Sequence, residues 1–201
     1  MHPGKCKELR ISFAKQPPSF DPLIVDGNEL EVVTSAKLLG ITISNDLSWN
    51  EHIHSVIKKV NKRIYFLIQL KRAKVPPKDL SLFYVTFIRS VIDYGIVSFL
   101  NSLPKYLKNE FSRIEKRVIS IILPDCNYIT GLDRLGLINI EEYHNNICKI
   151  FLSIENNENH KLRHLLPKEK ERKKERKNRK YEAPFVRTNR AKNSFILSMC
   201  G

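Results

Sequence analysis

From Trp49 onward, apolar side chains fall at Ile53, Val56, Ile57, Val60, Ile64, Leu67 and Ile68. That is the i, i+3, i+4, i+7 spacing which lays one buried face along a helix, and no strand can satisfy it, because alternate strand residues point to opposite faces. A helix from about Ser48 to Lys71 therefore has to be packed against something. Off the stripe it is basic: Lys58, Lys59, Lys62 and Arg63, then Lys71, Arg72 and Lys74. Ahead of it, Leu38, Leu39, Ile41 and Ile43 around Gly40 suit a brief buried strand, with turn chemistry in Ser44, Asn45 and Asp46.

The stretch before that strand carries shorter signals. Lys5 to Ala14 alternates Leu9, Ile11 and Phe13 with Glu8, Arg10 and Ser12, the period of a half-buried strand. Leu23–Val25 and Leu30–Val33 flank Asp26-Gly27-Asn28 and read as a hairpin. About four short strands are expected before residue 45, forming one small antiparallel sheet.

After the basic helix, Val75-Pro76-Pro77 is a stop. A second helix is expected from Lys78 to about Leu100, burying Leu80, Phe83, Tyr84, Phe87, Ile88, Val91 and Ile92. A third runs from Pro104 to Ile122 on Leu107, Phe111, Ile114, Val118, Ile121 and Ile122, with Arg113, Lys116 and Arg117 on its other side. A short turn or helix covers Thr130 to Leu135. A last helix follows Asn139, with Glu141 and Glu142 where the helix dipole favours negative charge. Lys168 to Lys180 holds nine basic, three acidic and no apolar residues, so it reads as a solvated helix or disordered tether. Phe195, Ile196, Leu197 and Met199 then form a short apolar tail.

The charge balance narrows the partners. With 35 Lys and Arg against 21 Asp and Glu in 201 residues, the net charge is +14 and the pI is near 9.7, a bias toward polyanions, nucleic acid above all. Cys6, Cys126, Cys148 and Cys200 are scattered, so neither a disulfide framework nor a zinc ribbon is indicated, and an intracellular location is expected. His160 and His164 after Cys148 resemble half of a zinc finger whose other half is missing. There is no glycine-rich phosphate loop and no nucleophile elbow. The seven aspartates never cluster as a two-metal site requires, and Asp93 reads as structural. His52 and His54 read as surface residues, and Trp49 as a core anchor. Phe83 to Leu100, the longest apolar run, is interrupted by Arg89 and Asp93, so no membrane partner is expected.

LLGITISNDLSWNEHI, then KKVNKRIYFLIQLKRAKVPPKDLSLFY, then SRIEKRVISII and RTNRAKNSFI together resemble the segment downstream of the catalytic aspartates in reverse transcriptases of non-LTR (LINE-type) retrotransposons. The resemblance implies a palm edge over residues 1–45, with Leu38, Leu39 and Gly40 like a primer grip. It implies a thumb over 46–125, a C-terminal helical extension over 126–166, and a basic linker and tail over 167–201. It further implies a truncated polymerase lacking its catalytic aspartates, inactive alone, with Mg²⁺ required only by a full-length enzyme. Its partners would be an RNA–DNA hybrid or duplex, and the polymerase region expected upstream of Met1.

The expected fold class is thus α+β, mostly α, with a basic, partly disordered C-terminal tail. No cofactor, metal or catalytic residue is expected of this chain. The nucleic-acid contacts are assigned to Lys58, Lys59, Lys62, Arg63, Lys71, Arg72 and Lys74. The alternative is a helical protein-interaction module whose basic surface is merely solvated.

Overall fold

A computed structural model of the chain describes residues 6–14, 19–157 and 159–165; the Lys168–Lys180 run and the apolar tail lie outside them. The fold is mostly helical with small N-terminal strands. It divides into two compact units, Met1–Val56 and Ile57–Gly201.

The first unit holds six short strands: β1 (Lys7–Leu9), β2 (Ile24–Val25), β3 (Asn28–Glu29), β4 (Glu31–Val33), β5 (Ser35–Leu38) and β6 (Ile41–Ser44). They form three two-stranded ribbons instead of one antiparallel sheet: β1 runs parallel to β4, while β2–β3 and β5–β6 are antiparallel hairpins. Asp26 and Gly27 both have positive φ (50° and 75°), as a two-residue type I′ hairpin turn requires. The same geometry recurs where the sequence suggests a continuous strand. Leu39 and Gly40 have φ of 47° and 84°, and Leu38 pairs directly with Ile41, so Leu38-Leu39-Gly40 forms the bend of a hairpin. Leucine is uncommon in that backbone region, which is why composition does not announce the turn.

Strand β1 stops at Leu9, leaving Ile11 and Phe13 exposed. The cause is Arg10: its guanidinium meets the Glu8 carboxylate at 2.6 Å and donates to the carbonyls of Phe20 and Asp21, drawing the chain away from the ladder. At the other end of the unit, Asp46 accepts from the Ser48 N–H at 2.8 Å, and helix α1 (Asn50–Arg72) begins. His52 is 4% exposed, not a surface residue, because its Nδ1 accepts from the Thr42 N–H of the hairpin. His54 is exposed, and Trp49 is half-buried just ahead of the helix.

Helix α1 continues into the second unit with Val60, Ile64 and Leu67 fully buried. It ends in a Schellman motif: Lys74 has φ 61°, the Val75 N–H donates to Leu70 O, and the Lys74 N–H donates to Lys71 O, satisfying carbonyls that a helix end leaves orphaned. Pro76 and Pro77 then open α2 (Pro77–Phe83), where a first-turn proline costs no hydrogen bond.

The long second helix is broken. After α2 come a π-helical segment (Tyr84–Arg89), α3 (Ser90–Asp93), α4 (Ile96–Phe99) and a 3₁₀ turn (Leu100–Ser102). The buried residues explain the break. Leu80, Tyr84, Ile88, Ile92 and Ile96 recur every four residues, longer than the 3.6 of an α-helix, and the wider i→i+5 turn takes up the difference. Gly95, with φ 71°, supplies the bend. The shift in register turns Arg89 inward and leaves Phe87 exposed and Phe83 and Val91 half-buried, where unbroken periodicity buries all three.

Helix α5 (Lys105–Ile122) buries Leu107, Phe111, Ile114, Val118 and Ile122 as expected, together with Glu115 and Ile119. Ile121 is half-buried. Helix α6 (Tyr128–Leu135) closes on the left-handed Gly136. Asn139 caps α7 (Ile140–Asn156) by accepting from the Glu142 N–H at 2.8 Å. Among the described residues no single helix is long and apolar enough to cross a membrane.

Gly131 marks the closest approach of α6 to α5. A Cβ there would lie 2.3 Å from the Cγ2 of Ile119, a side chain itself buried. Gly131→Ala is therefore expected to lower the urea midpoint by the equivalent of about 1–2 kcal/mol, an overpacking cost that exceeds the gain in helix propensity. An unchanged or higher midpoint would contradict this packing.

Candidate nucleic-acid interface

Along the exposed side of α1, Lys58, Asn61, Lys62 and Tyr65 stand three or four residues apart and share one face; all four are exposed. Arg72 continues that line two turns further. Helix α5 presents Arg113, Lys116 and Arg117 at the same kind of spacing, also exposed. The two faces meet. An Arg117 guanidinium nitrogen donates to Asn61 Oδ1 at 3.4 Å, which sets Arg117 beside the α1 lysines. Two basic faces thereby merge into one, where phosphates can be held by several cations without any base being read.

The expected contact residues divide. Lys58 and Lys62 lie on the shared face, and Lys59 is exposed on the side turned toward Phe66. Arg63 is half-buried: its guanidinium stacks 4.3 Å from the Phe87 ring centroid and donates to the Phe87 carbonyl. Lys71 donates from Nζ to Ile122 O at 2.9 Å, holding the last turn of α5. Lys74 is exposed, and its backbone forms the end of α1. Leu38, Leu39 and Gly40 belong to the other unit. Sequence reasoning marks Arg113, Lys116 and Arg117 as basic but gives no sign that α5 lies beside α1. Arg113 also pairs with Glu110 at 2.5 Å, which partly offsets its charge.

Behind α5 lies a buried charged cluster. Arg89, 3% exposed, sits 3.4 Å from Asp93 and 3.9 Å from Glu115. It donates to Ile138 O at 2.5 Å and Asn139 O at 3.4 Å, and its guanidinium lies 4.8 Å from the Tyr143 ring centroid. Glu115 accepts from Tyr128 Oη at 2.7 Å and from the Ile140 N–H at 3.5 Å. One arginine thus ties α3, α5 and the start of α7 together. Burial pushes the Asp93 carboxyl up to about 6 against the pull of Arg89, and it raises Glu115 against Tyr128 and Arg89. Asp93 is structural, as its setting in an apolar helix suggests.

A cavity of about 230 Å³ adjoins this cluster, lined by Lys108, Ser112, Glu115, Lys116, Tyr128 and Glu141, among others. Its charges are mixed, and among the described residues no three His, Cys, Asp or Glu side chains converge as metal ligands. Cys148 neighbours the buried His144, with Sγ 3.5 Å from Nε2, a residue the sequence reading passes over. Burial lowers the His144 pKa and raises that of Cys148.

Residues 49–90 match the family model for the N-terminal region of alkylated DNA repair protein alkB homolog 8. The match covers about a fifth of the chain, from just before α1 to the start of α3. No curated protein and no solved structure matches the chain. The family match overturns the resemblance to non-LTR reverse transcriptases, because the segment which that resemblance makes the opening of a polymerase thumb is similar to a different family. The truncated-polymerase function, the primer-grip label, the missing polymerase region as partner and the retrotransposon assignment fall with it. A basic amphipathic helix, a proline stop and a second apolar helix are features that unrelated helical folds share, and their order alone does not separate families. At a coarse level the match is consistent with a nucleic-acid partner, the family being named for a DNA repair protein.

Proposed function

We propose that this chain binds nucleic acid through its phosphate backbone, independently of sequence, on the joined basic faces of α1 and α5. The observation that carries the proposal is the Arg117–Asn61 contact. It converts two separate basic helix faces into one surface bearing Lys58, Lys62, Arg113, Lys116 and Arg117, with Tyr65 among them. A net charge of +14 favours association with a polyanion at a distance, and the local surface supplies the docking points. The residues at this face are suited to binding; the role is that of a clamp and not of a catalyst. Duplex RNA or a hybrid suits a convex helical face that reads backbone and shape.

The test is a titration of a labelled RNA duplex of about 20 base pairs with the full chain between about 50 and 200 mM salt. Affinity is expected to fall at least tenfold over that range, with little difference between two duplexes of unrelated sequence. Binding that ignores salt, or no binding at 50 mM, would overturn the proposal.

A further inference from the structure

Beside the basic face, and sharing Lys62 at its border, α1 and the α2–π segment enclose an open apolar groove of about 450 Å³, lined by Phe66, Gln69, Leu70, Ala73, Phe83 and Phe87. Its aromatics are unusually placed. Phe66 is 52% exposed and Phe87 37%. Phe66 meets both Tyr65 (5.7 Å, 75°) and Phe87 (6.4 Å, 72°) edge to face. Phe66 is thus edge to face with two neighbours and still half exposed, so part of its ring is open to an outside partner. Phe83 packs against Phe87 at 5.0 Å between ring centroids, and the Arg63 guanidinium lies over the Phe87 ring.

The charge around the groove says what that partner is. Along α1, Arg63 and Lys62 precede Phe66 by three and four residues and neighbour it on the helix surface, and Lys59 follows one turn further back on the same side. An apolar protein helix laid into this groove would have to desolvate those cations without return. A nucleotide brings its own phosphates to them and offers a flat ring to the phenylalanines. The volume lies in the range of small-ligand sites.

We propose that the Phe66–Phe87 groove is a stacking site for an unpaired nucleobase, with Lys59 and Lys62 on the flanking phosphates. Resting on the nucleic-acid reading above, this names a second substrate class: strands that carry unpaired nucleotides, as at a loop, bulge or end, whose bases are free to leave the helix. Gln69, on the groove wall, supplies an amide for a base edge. Arg63 then has a positioning role, holding Phe87 in place.

The experiment compares oligo(U) with an RNA duplex of equal length, using the full chain and its Phe66→Leu and Phe66→Trp variants. Leucine keeps apolar bulk and helix propensity but has no π face; tryptophan keeps the face and reports on it. Phe66→Leu is expected to weaken oligo(U) binding about tenfold while duplex binding stays within about twofold, the effect of losing one stacked base. Phe66→Trp is expected to retain oligo(U) affinity and to add an emission that the oligonucleotide quenches. The stacking site is overturned if Phe66→Leu leaves oligo(U) binding unchanged, if it weakens both probes equally, or if the added tryptophan is not quenched. It is overturned in favour of a second copy of the chain if Phe66→Leu abolishes a self-association and nothing else. Intact salt-sensitive duplex binding alongside any of these results leaves the basic-face reading standing; loss of both probes by the unaltered chain removes both readings.

Discussion

Replacing Arg89 by methionine is expected to cost about 3–5 kcal/mol of folding stability at pH 7, the penalty for removing one partner from a buried charge cluster. The guanidinium faces Asp93 and Glu115 and holds the carbonyls of Ile138 and Asn139. Methionine keeps most of the stem but leaves Asp93 without its cation and Glu115 with Tyr128 Oη and the Ile140 N–H as its donors. The loss carries a pH signature. Asp93 and Glu115 have folded-state pKa values raised by burial, so the stability they contribute is fully present below the ordinary carboxylate range and is lost as pH rises through the folded value, about 6 for Asp93. Arg89 opposes that rise in both groups, and without it both pKa values move higher still. The deficit of Arg89→Met relative to the unaltered chain is therefore expected to be smaller at pH 5, where Asp93 is largely protonated, and full at pH 8. Urea midpoints at the two pH values check this. A deficit equal at both would show that the carbonyl and Tyr143 contacts, and not the carboxylates, carry the effect.

Reversing Lys58, Lys62 and Arg117 together to glutamate is expected to weaken duplex binding on the order of 100-fold at 0.1 M salt. Unit charges about 4 Å apart in water exchange about 1 kcal/mol. Reversal swings each contact by about twice that, and screening removes roughly half, leaving about 3 kcal/mol for three sites. These side chains are exposed, so urea midpoints should stay close to that of the unaltered chain. Arg63→Glu is the instructive contrast. Because Arg63 is engaged with Phe87, its reversal should disturb the groove and the packing of α1 on the π segment, and stability should register it. Triple-variant affinity within about threefold of the unaltered chain would move the contact away from α1 and α5.

The local chemistry of the chain was legible residue by residue. Asn139 before an apolar period marked a helix start, Gly136 a helix end, Asp26-Gly27 a hairpin and Pro76-Pro77 a boundary, because caps and turns act within a few residues of themselves. What escaped the sequence depends on contacts across the fold. Arg89 reads as an interruption in an apolar helix; it is buried because a four-residue repeat imposes a π segment and because Glu115, 26 positions away, waits opposite it. His52 reads as exposed until the Thr42 N–H of a hairpin is seen to need an acceptor. The hairpin itself hides behind a leucine with positive φ. Lys71 looked like one more surface cation but holds the end of α5. Of the basic surface, the α1 half was visible as a helical face; the α5 half was visible as charge but not as a neighbour, since the contacts that set it beside α1, Arg117 to Asn61 and Lys71 to the Ile122 carbonyl, join residues 56 and 51 positions apart. The succession of helices suggested a polymerase thumb, and the match of residues 49–90 to another family corrects it.

The salt dependence of binding tests the proposed phosphate contacts at the α1–α5 face most directly. Duplex affinity would be measured against salt concentration for the full chain and for a variant with Lys58, Lys62 and Arg117 replaced by glutamine. Each phosphate contact adds about 0.9 to the slope of log affinity against log salt. A line shallower by about 2 to 3 is expected for the variant. Parallel lines would mean that those three side chains touch no phosphate, and would contradict the proposed contacts.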